Sequence, residues 1–248
     1  MTVLLLHGLG NSAAHIREQL APAIPEGRRV IAPDVRAHGD SPVIGSARDF
    51  SFEGLTEEIT AQIDGDVGDS PLTVVGVSMG AALAVRLALG GHPTVERLVL
   101  IRPSFTDHAL PGHLRAFPVM GELLMRHGAA AAERLFKGSS LYHSLTLVTQ
   151  AGAAAALQQF RAPDASARAI RLVEIPRNRA FGSYDELAAI TVPTTVVAAP
   201  RDPVHPVAVA EAWHGGIRGS SLVHLPARDD GMAAHLAALR SAVSAAFA

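Results

Sequence analysis

The chain has 248 residues, 48% of them hydrophobic and 18% charged, with a formal net charge of −2. That much apolar material excludes a disordered chain and is enough for a sizeable core. The lack of a basic surplus and the 4% aromatic content speak against nucleic acid as a partner. The absence of cysteine removes disulfides, thiolate metal sites and a thiol nucleophile, and it fits a reducing compartment. The opening apolar run, residues 3–6, is too short for a secretory core, and no stretch approaches the length of a membrane span. A cytoplasmic location and no membrane partner are therefore expected.

Strand-length apolar runs recur at residues 3–6, 30–32, 72–75, 98–101, 194–198 and 221–225. Their near-continuous apolarity is that of strands buried on both faces, as in a parallel sheet. Helical patterns at 13–20, 55–63, 81–89 and 207–213 lie between them. This alternation predicts right-handed crossovers and an open α/β sheet. Residues 102–193 break the alternation. They hold helical patterns at 121–127, 129–136, 145–160, 165–173 and 184–190, and Pro111, Pro118, Pro163 and Pro176 break the segment up. We expect a core of 1–103 and 191–248, with 104–190 inserted as a helical cap where a substrate pocket opens.

The sharpest motif is Gly76-Val77-Ser78-Met79-Gly80, a G-x-S-x-G with a strand before it and an alanine-rich helix after it. In that context the serine sits on a tight strand-to-helix turn as a nucleophile. The first strand ends in His7-Gly8-Leu9-Gly10. Its glycines free the backbone to turn, so that the Leu9 and Met79 amides pair as an oxyanion hole. His7 is read as a buried histidine holding that loop.

A carboxylate and a base must follow later strands. Asp202, in Pro200-Arg201-Asp202-Pro203, is the expected acid, with Asp107 as its rival. His235 is the sole histidine beyond the last strand and is the expected base, opening a helix over 235–247. His205 stands only three residues from Asp202, an awkward spacing for a separate pair, and His224 lies within a strand.

In order and position, Ser78, Asp202 and His235 resemble the Ser…Asp…His arrangement of the α/β-hydrolase superfamily. Asp34-Val35-Arg36-Ala37-His38-Gly39-Asp40-Ser41 is similar to its D-x-R-G-H-G-x-S segment, with Ala37 at a glycine position. The resemblance implies an α/β-hydrolase fold of about six mostly parallel strands, lacking the usual N-terminal antiparallel hairpin. A missing hairpin leaves a sheet edge for a second copy of the chain to cover, as a homodimer. It also implies a small capped bacterial serine hydrolase, cleaving an ester, thioester or lactone of a small acyl substrate through an acyl-enzyme, with no metal and no cofactor. Other members of the fold act as lyases, cyclases or acyltransferases, and a degenerate triad would leave a ligand-binding protein. The cap residues Phe105, Phe117, Met120, Leu124, Phe136, Tyr142 and Phe160 suggest an apolar pocket. The base loop departs from the superfamily: His235 comes about five residues later than loop length suggests, after an Asp229-Asp230-Gly231 excursion.

Overall fold

The structure is a computed structural model and describes residues 1–68, 70–92 and 94–247. Six strands form one sheet: β1 (Thr2–Leu6), β2 (Arg29–Ile31), β3 (Leu72–Val77), β4 (Val95–Ile101), β5 (Thr194–Ala198) and β6 (Ser221–His224). Their order is β2-β1-β3-β4-β5-β6, and every neighbouring pair is parallel. The expected all-parallel sheet is what the chain forms, with β2 and β6 at its edges.

Period-two alternation sorts the strand side chains into two cores. Leu4, Leu6, Val74, Leu98 and Val196 face one side. There they meet α2 (Phe52–Val67), α3 (Met79–Leu89) and, beyond β5, α8 (Val207–Gly216). Val3, Leu5, Val75, Val99 and Val197 face the other side. That face is covered by α1 (Ala13–Leu20) and the last helix (Met232–Ala245). Covering both faces is what makes β1 and β3 buried at every position.

β1 lies between β2 and β3, so successive connections leave it in opposite directions. This reversal opens a crevice at the carboxyl ends of β1 and β3. Their register, Leu6 opposite Gly76, brings the segment after Leu6 beside the turn after Val77.

Between β4 and β5 the chain builds α4 (Ala116–Lys137), α5 (Ser140–Val148), α6 (Gln150–Arg161) and α7 (Ile170–Glu174). The last helix is therefore α9. The helices expected at 121–127 and 129–136 are two halves of α4, kinked at Gly128, whose φ of 70° leaves the helical region. The single helix expected over 145–160 is two. Thr149 is extended at φ −156° and caps α6 by accepting the Gly152 amide. The expected helix 165–173 contracts to α7, and 184–190 is a 3-10 turn, Tyr184–Ala189.

Candidate active site

Ser78 is the single residue between β3 and α3, with φ 54° and ψ −109°. A side-chain-bearing residue there is strained, and such strain persists only where its surroundings fix it. The Ser78 amide donates to the Ile101 carbonyl at 2.9 Å, and the Ser78 carbonyl accepts from Ala81 and Ala82. The flanking glycines are required by space. A Cβ on Gly76 would run into the Gly80 carbonyl, and one on Gly80 into the Leu6 carbonyl. Gly80→Ala therefore forces two backbones apart. It is expected to cost about 3 kcal/mol or more, read as a lower urea midpoint at unchanged slope.

The loop after β1 is pinned by His7. Its Nε2 accepts the Val35 amide at 3.1 Å, which places the proton on Nδ1, donated to the Gly8 carbonyl at 2.9 Å. Burial lowers the His7 pKa, so the ring is neutral. His38 packs 4.9 Å from it, with Nδ1 donating to the Arg36 carbonyl at 2.8 Å. Ala37, at the glycine position noted above, has φ 58°, the left-handed region that favours glycine. Among the backbone hydrogen bonds of the described residues, neither the Leu9 nor the Met79 amide has an acceptor. Met79 opens α3, so its amide is one of the helix's unpaired N-terminal donors.

Ser78 opens onto a cavity of about 600 Å³ roofed by α4, α5 and α6. Its Oγ lies 3.0 Å from Oγ of the fully buried Ser104. His113 Nε2 in turn donates to the Ser104 carbonyl at 2.6 Å. His235 and His205 both line the cavity with Ser78.

Asp202 is buried at the carboxyl end of β5, and both its oxygens are engaged. Oδ1 accepts the Val204 and His205 amides, each at 3.2 Å. Oδ2 accepts from Arg102 Nη1 at 3.1 Å and Arg228 Nη2 at 3.2 Å. His205 Nδ1 stands 3.0 Å from Oδ2, off the line of an ideal hydrogen bond. Burial pushes the Asp202 carboxyl up, but His205, Arg102 and Arg228 outweigh it and hold the group below the usual carboxylate range. Burial lowers His205 against the pull of Asp202, leaving a neutral ring.

His235 is placed differently from the expected triad. Its Nδ1 donates to the Pro226 carbonyl at 2.8 Å, and no Asp202–His235 hydrogen bond exists among the described residues. The cause is the excursion after β6. Residues Arg228–Asp230 form a 3-10 turn that sets Arg228 against Asp202, and His235 falls in the first turn of α9, which starts at Met232 rather than at 235. Burial lowers the His235 pKa, opposed by the Pro226 hydrogen bond. Asp202 and His205 come close despite their short spacing, because a turn closed by the His205 amide on the Asp202 carbonyl at 3.1 Å folds the chain back.

Of the expected pocket residues, Phe117 and Met120 line the cavity. The others are packing residues. Phe105 stacks edge-on with Phe52 at 4.8 Å, Phe136 contacts the rings of both Tyr142 and Phe160, and Leu124 is buried in the same core. Leu141, Leu145 and Ala155 supply apolar wall in their place. Arg102, Ser104, His113 and Arg228 were not singled out. The first two follow the carboxyl end of β4, as Ser78 follows β3 and Asp202 follows β5.

The family model described as the alpha/beta hydrolase fold matches residues 2–228, ending before His235. The chain belongs to the α/β hydrolase fold family. It is 29% identical over 237 residues, 89% of this chain and 68% of the relative, to a pimeloyl-[acyl-carrier protein] methyl ester esterase of Neisseria meningitidis serogroup A. The crystal structure of MGS-M2, an alpha/beta hydrolase enzyme from a Medee basin deep-sea metagenome library, superposes with a TM-score of 0.76 at 16% identity, covering 99% of this chain and 88% of that one. The enol-lactonase from Burkholderia xenovorans LB400 superposes with a TM-score of 0.69 at 20% identity, over 99% and 88%.

Proposed function

We propose that this α/β-fold hydrolase cleaves an ester or thioester of a small acyl group through an acyl-enzyme on Ser78, with residues 104–190 acting as a cap. The observation that carries the reading is the strained Ser78, aimed into a cavity that His205 and His235 also line, the pKa of each lowered by burial. His235 is the base. With Nδ1–H committed to the Pro226 carbonyl, its Nε2 is left unprotonated to take the Ser78 proton. Ser78 Oγ bonds to the acyl carbon, and the Leu9 and Met79 amides hold the developing oxyanion. The leaving alcohol or thiol departs with the proton, and water then releases the acid with His235 again as base. Asp202 acts by keeping Arg102, Arg228 and His205 in place, and its ionised carboxylate offsets part of the opposition that Arg102 and Arg228 present to a protonated His235. The ester esterase among the relatives supports the acyl reading.

The 3.0 Å approach of His205 to Asp202 favours a second reading, with His205 as base. Fluorophosphonate labelling mapped by mass spectrometry separates the two. The adduct is expected on Ser78, and His235→Ala should slow it about 100-fold or more, with a lesser effect of His205→Ala. The reverse order transfers the role to His205. An unlabelled Ser78 that also fails on a short p-nitrophenyl ester ends the serine-hydrolase reading.

A further inference from the structure

The cavity wall is one-sided in charge. Arg102, Arg115 and Arg228 line it, and among the described residues no Asp or Glu does. Asp202 sits behind the wall and offsets only one of these charges. Arg102 and Arg228 meet it through one nitrogen each, both on Oδ2. A guanidinium carries five N–H donors, so most of the donors on this pair have no acceptor on Asp202. Each of the two side chains keeps 16% of its surface exposed, and both line the cavity, so donors that Asp202 does not take are open to a ligand. Arg102 itself has φ 47°, held by its amide on the Val197 carbonyl at 2.7 Å. It stands two residues before Ser104, whose hydroxyl touches Ser78.

We propose that the acyl substrate carries a second, free carboxylate, bound in the cavity by Arg102 and Arg228 while its ester carbonyl meets Ser78. This rests on the serine-hydrolase reading above and names its substrate class. Two guanidiniums against one buried carboxylate leave a single positive charge, which a monoanionic carboxylate balances. Two planar forks also suit its geometry. The apolar wall of Phe117, Met120 and Leu145 accommodates the methylenes between the two ends.

Two experiments test this, and they fail independently of each other. In calorimetry with the wild-type protein, glutarate is expected to bind at least tenfold tighter than glutaramide, and Arg228→Gln should remove that preference. Equal binding of the two ligands by the wild-type protein overturns the inference without any variant, so a poorly folded variant cannot hide the result. In turnover, monomethyl glutarate is expected to exceed methyl pentanoate at least tenfold in kcat/KM. Methyl pentanoate hydrolysed equally well overturns the carboxylate site and leaves the serine hydrolase standing. If neither ester is cleaved and Ser78 takes no label, the hydrolase reading falls, while glutarate binding still decides whether the carboxylate site exists.

Discussion

Ser78→Ala is expected to lower kcat for a short acyl ester by about 10⁴-fold or more, because the proposed reaction passes through an acyl group on Ser78 Oγ. What survives comes from the oxyanion donors and from binding alone. The fold should persist. Alanine inherits the strained backbone, and the main loss is the 3.0 Å contact that leaves the buried Ser104 hydroxyl without its partner. That costs about 1 kcal/mol. Steady-state rates and urea midpoints measured on the same preparation check both parts. Turnover within tenfold of wild type sinks the nucleophile assignment. A collapsed midpoint would show that the Ser78–Ser104 pair is structural.

Acidification is the second large effect. Burial lowers the pKa values of His7, His38, His113, His205 and His235 below the ordinary 6.5, His38 most strongly because His7 and Arg171 add to burial. Between each lowered value and 6.5 the unfolded chain binds a proton that the folded chain does not. Stability therefore rises with pH across that window and is lost as pH falls through it. Each such histidine contributes a slope of up to about 1.4 kcal/mol per pH unit. His7 and His38 lie side by side in the core, so the urea midpoint is expected to fall as the pH drops below 6.5. Asp202, with its lowered pKa, keeps its contribution above the ordinary carboxylate range and gives it up only at still lower pH. Urea midpoints at pH 7.5, 6.5, 5.5 and 5.0 measure this. A flat profile would mean that these rings bind protons in the fold as readily as in the unfolded chain, so that burial does not lower their pKa values.

Which features could be read from the chain follows from how local their causes are. The helix over residues 13–20 was legible because its apolar residues recur at helical spacing, and in the structure Ser12 caps it. The break at Gly128 was legible as a gap between two patterns. The break at Thr149 was not, because apolar spacing runs through it and only the threonine cap marks the stop. The elbow was legible because Gly76, Ser78 and Gly80 answer to one backbone turn. The partners of Asp202 were hidden for the opposite reason. Arg102 follows β4 and Arg228 follows β6, and only strand order brings them to one carboxylate. The aromatic residues misled because size alone cannot distinguish a wall from a filling. Phe136, Tyr142 and Phe160 satisfy one another, so smaller residues face the cavity.

The 102–193 excursion carries one more consequence. β4 and β5 are neighbours in the sheet, yet the chain must close that whole detour to pair them. Loop-closure entropy grows only with the logarithm of length, so the detour costs about 2 kcal/mol more than a short crossover of a dozen residues. Exchanging these helices is therefore expected to do little entropic damage to the sheet. The limit on such a graft is enthalpic: a replacement must still seat a side chain where Phe105 meets Phe52 and where Trp213 donates to the Phe105 carbonyl.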